Sequence, residues 1–76
     1  MKRKNDITII LDMLGVNYTT LGMALNDIEY TELLYKEHLK KGILDIESIK
    51  YQLIHFGKLD NNDAVILINY WKRIYG

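Results

Sequence analysis

Apolar residues near the amino terminus recur at the spacing of a helix. Ile10, Leu11 and Leu14 lie three, four and seven positions after Ile7, so that all four share one face of a helix. Asn5 or Asp6 can cap the start of this helix, and Gly15 can end it in the left-handed conformation. We therefore predict a helix over residues 6–14, although residues 7–10 are β-branched and would also suit a strand.

A second helix is predicted behind a clear start signal. Asn17 is a good N-cap, and Val16 and Leu21 occupy the two positions of a hydrophobic staple. The helix is expected over residues 18–25. It should stop at the Asn-Asp pair of residues 26–27, because both residue types tolerate the left-handed conformation.

The third predicted helix spans residues 28–41. It is expected to point three leucines at the core: Leu33, Leu34 and Leu39. Two lysines followed by Gly42 give its end the charge and the C′ residue that are typical of a helix C-terminus. Two Glu-to-Lys pairs at i,i+4 spacing should stabilise its surface by about a few tenths of a kcal/mol each: Glu32 with Lys36, and Glu37 with Lys41.

A fourth helix repeats the start signal of the second. Asp45 is the predicted cap, and Leu44 and Ile49 can form the staple. Its inward stripe is expected to contain four residues before Gly57 ends the helix: Ile46, Ile49, Leu53 and Phe56.

The last segment starts at the cap-rich residues 60–62 and is apolar on almost every side. One face suits a helix packed on the core: Ala64, Leu67, Ile68, Trp71 and Tyr75. The opposite face has nothing polar enough to need water: Val65, Ile66, Tyr70 and Ile74. In a small protein such a helix is either central to the fold or half of an interface. Helix is favoured, with a strand as the alternative because the segment is rich in β-propensive residues.

Composition is consistent with this all-α prediction. The chain has 76 residues, 49% of them hydrophobic and 26% charged, so residues 1–76 are expected to form one small domain of four to five helices. Proline is absent, which favours uninterrupted elements, and the absence of cysteine excludes disulfides and thiolate zinc sites. Ten basic and ten acidic side chains cancel, so no strong overall field attracts nucleic acid or anionic membrane. No export signal or membrane span is recognised, and a cytoplasmic location is expected.

Two stretches resemble the lambda-repressor-like helix-turn-helix family. Residues 14–22 (Leu-Gly-Val-Asn-Tyr-Thr-Thr-Leu-Gly) are similar to its Gly-apolar-polar run that caps the second helix. Residues 39–42 (Leu-Lys-Lys-Gly), the Asp45 cap and the Phe-Gly pair at 56–57 are similar to its entry into the fourth helix and that helix's end. The chain departs from the family in having Asn-Asp where glycine is usual in the turn, and in a span from Leu21 to Gly42 that is longer than in the common pattern.

The resemblance implies a helix-turn-helix core over residues 7–57 and an appended packing or dimerisation helix over residues 60–75. A dimeric transcriptional regulator that binds double-stranded DNA is therefore expected. Its expected DNA contacts come from a basic arm, the start of the second predicted helix and the third predicted helix: Lys2, Arg3, Lys4, Tyr18, Thr19, Thr20, Thr31, Tyr35, Lys36, His38, Lys40 and Lys41. The charge pattern argues against this function, because residues 5–35 contain five acidic side chains and no lysine or arginine.

The alternative function is a non-enzymatic protein-interaction module, such as a small adaptor or inhibitor of phage or plasmid type. Six tyrosines and one tryptophan favour it, because these side chains are common at interfaces. For this function, as for a homodimer, the expected interface lies on the last helix: Val65, Ile66, Tyr70, Trp71 and Ile74.

No catalytic residue, metal site or cofactor is predicted. His38 and His55 are far apart in the sequence, and no paired histidine spacing is present. Ser48 has no nucleophile elbow around it, and the glycines are scattered singly rather than grouped as in a phosphate loop. Helix capping explains Asp60 and Asp63, so the protein is not expected to be an enzyme.

Overall fold

The computed structural model describes residues 6–16 and 24–76, which form four helices. They are α1 (Asp6–Leu14), α2 (Leu25–Lys41), α3 (Ile46–His55) and α4 (Asn61–Tyr75). No strand occurs in these residues, so the all-α prediction is confirmed for them and both strand alternatives are wrong. Of the helix predicted over residues 18–25, residues 18–23 lie outside the described residues.

The core is centred on the inner face of α4. Trp71 is fully buried there, and its ring centroid lies 5.6 Å from that of Tyr35 on α2. α3 packs against α4 and α2, while α1 packs against α2 and α4. Each helix contributes fully or almost fully buried side chains: Ile7 and Leu11, Ile28 and Tyr35, Ile49 and Leu53, and Leu67 and Trp71. Burying each such apolar side chain contributes roughly 1.5–3 kcal/mol before the loss of chain entropy.

The helix ends follow the predicted caps. Gly15 and Gly42 adopt the left-handed conformation, with φ of 79° and 73°, and end α1 and α2 as predicted. The Asp45 carboxylate accepts a hydrogen bond from a first-turn N–H of α3 at 3.2 Å. Asp60 does the same for α4 at 2.8 Å. Each carboxylate satisfies one of the N–H groups that a helix start leaves without a partner.

The start of α2 differs from the prediction. The expected stop at residues 26–27 is wrong, because α2 begins at Leu25 and continues through both residues. Ile28 is fully buried, and the Thr31 hydroxyl donates to the Asp27 carbonyl at 2.8 Å. Burial of this turn outweighs the weak local preference of Asn and Asp for turns.

Two predicted core residues are on the surface instead. The exposed fraction of Leu33 is 59%, because the buried face of α2 runs through Ile28, Thr31 and Tyr35. Leu34 and Leu39 are half-buried against the core, as expected for partly inward positions. Phe56 is exposed because α3 ends at His55, so Phe56 is the C-cap rather than the last member of the inward stripe.

The inner face of α4 agrees with its prediction. Ala64, Leu67, Ile68 and Trp71 are buried, and Tyr75 is half-buried. None of the helices in the described part of the chain is long and apolar enough to span a membrane.

Candidate functional site

Those predicted DNA-contacting residues that the structure describes do not all lie on one surface. Thr31 and Tyr35 are fully buried, so the prediction that they face DNA is wrong: they belong to the inward face of α2. Lys36, Lys40 and Lys41 are exposed on that helix, and His38 is half-buried. The remaining members of the set lie outside the described residues: Lys2, Arg3, Lys4, Tyr18, Thr19 and Thr20.

One of the two predicted ion pairs on α2 is present. Lys41 and Glu37 are 3.3 Å apart and largely exposed. Glu32 instead accepts a hydrogen bond from the hydroxyl of Tyr75 at 2.5 Å, and the Lys36 ammonium lies 5.3 Å from the centroid of the Tyr75 ring. Burial, and then the hydrogen bond to Glu32, raise the pKa of Tyr75 well above its ordinary value. Tyr75 therefore links the end of α4 to α2.

Three of the five residues predicted to form an interface on α4 pack against the core instead. Trp71 is fully buried, and its assignment to an interface is wrong because it packs at the centre of the core. Ile66 and Tyr70 are half-buried against the core, and Val65 and Ile74 remain exposed. The exposed apolar part of this face is therefore small.

A cluster of exposed aromatic side chains lies at the end of α3. The rings of Tyr51 and His55, one helical turn apart, stack with centroids 5.0 Å apart and an interplanar angle of 12°. Phe56 stands edge-on to both rings, with its centroid 4.9 Å from His55 and 6.4 Å from Tyr51. The exposed fractions of Tyr51 and Phe56 are 57% and 46%. The cluster is ordered by its own ring contacts while most of its surface faces solvent.

Tyr30 of α2 extends this cluster across a cavity. The cavity has a volume of about 280 Å³ and is lined by Asp27, Tyr30, Gln52 and Phe56. The residues that line it are therefore two aromatic residues, one amide and one acid. We refer to Tyr30, Tyr51, His55 and Phe56 as the aromatic surface, and to the space between α2 and α3 as the α2–α3 cavity.

Gly57 allows the close contact between α2 and α3 beside this cavity. A Cβ atom at Gly57 would lie 2.6 Å from the carbonyl oxygen of Leu53 and 3.0 Å from Cγ1 of Ile28. The next residue, Lys58, takes the left-handed conformation with φ of 65°. The chain then turns back, and the N–H of Leu59 donates to the Leu53 carbonyl at 3.1 Å. This arrangement places Phe56 beside Tyr30 at the surface.

Sequence reasoning missed the aromatic surface, although part of its signal is local. Tyr51 and His55 are spaced i,i+4, which predicts neighbouring rings on a helix. The position of Tyr30 near Phe56 has no signal in the sequence, because the distance between them depends on how α2 crosses α3.

No metal site is evident in the described ranges, since they hold no group of three or more His, Asp or Glu side chains that could bind an ion. Comparison with protein-family models finds no match to the chain. Searches among curated proteins and among solved structures likewise find no similar protein.

Proposed function

We propose that this protein is a non-enzymatic protein-interaction module that binds its partner through the aromatic surface. The observation that carries the proposal is the exposure of three large aromatic rings: Tyr30 and Phe56 line one cavity, and Tyr51 contacts Phe56 beside it. Such side chains bury a large area on binding and lose little conformational entropy. A contiguous exposed aromatic patch is therefore typical of a binding site.

These rings lie outside the buried core of the fold. Tyr35 and Trp71 already supply the buried aromatic contacts of the core. The aromatic surface lies on the outer sides of α2 and α3, and its ring contacts hold Tyr51, His55 and Phe56 in a defined arrangement. Order before binding reduces the entropy lost on association, which favours a role in recognition.

The proposal is tested with a double variant, Tyr51→Ala with Phe56→Ala. Partners are captured by cross-linking in cells that contain the protein natively, and each candidate is then titrated in purified form by calorimetry. We expect the double variant to weaken binding of the true partner at least tenfold, about 1.4 kcal/mol, since two central aromatic contacts are lost.

The matched control is Ile9→Ala with Met13→Ala. These two side chains are exposed apolar residues one turn apart on α1, with exposed fractions of 63% and 62%. The control should bind as the parent does. Equal binding by the aromatic double variant and the parent would show that this surface is not the interface.

A second candidate function, DNA binding by a dimeric helix-turn-helix regulator, is favoured by a group of exposed cations. Lys36, Lys40 and Lys41 lie on the second half of α2. α4 ends with the exposed Lys72 and Arg73, next to Tyr75, whose ring lies beside Lys36. Lys36 of α2 thus lies close to the end of α4 that carries Lys72 and Arg73, and in this second candidate function these exposed cations would contact phosphates.

The two functions are separated by fluorescence-anisotropy titration of a short duplex across a salt series. A regulator that engages about three to five phosphates should lose affinity with a log–log slope of roughly −3 to −4.5. Lys36→Glu with Lys40→Glu should abolish that binding and leave the aromatic surface intact. Absence of binding at low salt, where phosphate contacts are strongest, would exclude the second candidate.

A further inference from the structure

We propose that the α2–α3 cavity binds an arginine side chain presented by the partner. This inference rests on the proposed function, since it assigns the chemistry of one part of the same surface. The cavity is lined by Asp27, Tyr30, Gln52 and Phe56, whose side chains end in a carboxylate, two aromatic rings and an amide. These four groups are complementary to a guanidinium, a planar cation with five N–H donors.

Each lining group has a distinct role in this arrangement. The carboxylate of Asp27 accepts two parallel hydrogen bonds from one edge of the guanidinium. The faces of Tyr30 and Phe56 attract the cation through their π electrons, and the effect is stronger for a delocalised, weakly hydrated group. The amide oxygen of Gln52 accepts a further N–H. An arginine fits this set better than a lysine, which offers no plane to stack.

The charges around the cavity favour a cation. Asp27 forms no hydrogen bond or ion pair through its carboxylate with any side chain in the described residues, so the carboxylate is available to a ligand. Asp27 is the one charged residue among those that line the cavity, and Glu32 is turned to Tyr75 of α4. Lys58 follows the end of α3 but does not line the cavity. An anionic ligand in the cavity would be repelled by Asp27.

Two other occupants suit the cavity less well. An aliphatic side chain would contact the rings and leave the Asp27 carboxylate facing it without a partner. A phosphate group would meet that carboxylate directly. Only a cation uses all four lining groups at once.

The test is an NMR titration of the ¹⁵N-labelled protein with N-acetyl-arginine amide. We expect saturable shifts at Asp27, Tyr30, Gln52 and Phe56, with a dissociation constant in the millimolar range for this single side chain. N-acetyl-citrulline amide, which has the same shape without the charge, should bind at least about tenfold more weakly.

Two variants and one control identify the site. Asp27→Asn removes the charge, and Phe56→Leu removes one ring while keeping an apolar side chain. Each should weaken arginine binding by roughly threefold to tenfold. Asp12→Asn, which neutralises an exposed carboxylate on α1, should bind as the parent does. Amide spectra and tryptophan fluorescence confirm that each variant is folded.

The outcomes separate this inference from the proposed function. Equal binding of arginine and citrulline amides, or full binding by Asp27→Asn, would overturn the arginine site. If the arginine site were overturned but the Tyr51→Ala, Phe56→Ala variant failed to bind the protein partner, the proposed function would stand without the arginine site. Arginine binding that depends on Asp27, together with a partner unaffected by the loss of Tyr51 and Phe56, would support the cavity and refute the proposed function.

Discussion

Tyr35 and Trp71 place two polar atoms in the core of the described fold. The Tyr35 hydroxyl and the Trp71 indole nitrogen are buried and have no hydrogen-bond partner there. The burial that removes water from the hydroxyl also raises the pKa of Tyr35. A buried polar atom without a partner lowers stability by roughly 1–3 kcal/mol.

Replacing Tyr35 with phenylalanine should therefore not destabilise the protein. The Tyr35→Phe variant keeps the ring contact with Trp71 and removes the unpaired hydroxyl. We expect its free energy of unfolding in urea to rise by about 1 kcal/mol. A fall of that size would mean that the hydroxyl makes a stabilising hydrogen bond in the folded protein.

Tyr75 makes the free energy of unfolding depend on pH in the alkaline range. The pKa of Tyr75 is raised in the fold, so the folded state retains the phenol proton after the unfolded chain has lost it. The contribution of Tyr75 is complete below the unfolded pKa of about 10 and declines as the pH rises above it. Tyr75→Phe removes this contribution together with the hydrogen bond to Glu32.

The measurement is urea unfolding of parent and Tyr75→Phe from pH 7 to pH 11. At pH 7 the variant should be less stable by about 1 kcal/mol, and the difference should shrink above pH 10. Comparing the two proteins cancels the titration of the lysines and of Tyr35. A difference that stays constant to pH 11 would contradict the raised pKa.

At the scale of the elements, the end of α3 decides how α2 and α3 meet. Gly57 lacks the Cβ that would collide with the Leu53 carbonyl of α3 and crowd Ile28 of α2, whereas Lys58 adopts a left-handed conformation that a side chain disfavours. The two neighbouring positions thus have opposite requirements. Position 57 needs glycine because there is no room for a Cβ, whereas position 58 has the left-handed backbone that glycine favours but is occupied by lysine.

We expect the two substitutions Gly57→Ala and Lys58→Gly to have opposite signs. Gly57→Ala should lower the free energy of unfolding by about 1–3 kcal/mol, because backbone must shift to admit the methyl group. Lys58→Gly should leave it unchanged or raise it by up to about 1 kcal/mol. Thermal and urea unfolding measure both. Destabilisation by Lys58→Gly would show that the lysine side chain makes contacts that outweigh its backbone strain.

At the scale of the whole molecule, binding and stability depend on different aromatic residues. Trp71 is fully buried, so Trp71→Ala should lower stability by about 3–5 kcal/mol, a large part of the total for a domain of this size. Tyr51→Ala with Phe56→Ala alters exposed side chains and should lower it by about 1 kcal/mol or less. Calorimetric melting of the two variants tests this division. A double variant as unstable as Trp71→Ala would mean that the aromatic surface is part of the core.

The cavity and the cationic end of the molecule also belong to this scale. The cavity joins the first half of α2 to the second half of α3, and the cations lie on the second half of α2 and the end of α4. Although ten basic and ten acidic side chains cancel, they are distributed unevenly. The first half of α2 carries three acidic side chains and no lysine or arginine, whereas its second half carries three lysines.

The sequence by itself determined where most of these helices lie and which face of α4 is buried. The ends at Gly15 and Gly42 and the caps at Asp45 and Asp60 were predictable, because capping involves atoms within four residues along the chain. The periodicity of α4 placed Trp71 on an inward face, but its hydrophobicity on both sides left interface and core as alternatives. Burial of Trp71 against Tyr35 of another helix decided for the core.

Only the tertiary structure decided the features that depend on two helices at once. The Asn-Asp pair at residues 26–27 reads locally as a turn, but burial of Ile28 holds it in α2. Hydrophobicity predicts that the leucines of α2 point at the core, whereas the crossing of α2 with its neighbours buries Thr31 and exposes Leu33. The α2–α3 cavity likewise exists because Gly57 lets two helices approach. Local patterns fix helices and their caps, while the coverage of each side chain depends on neighbours distant in sequence.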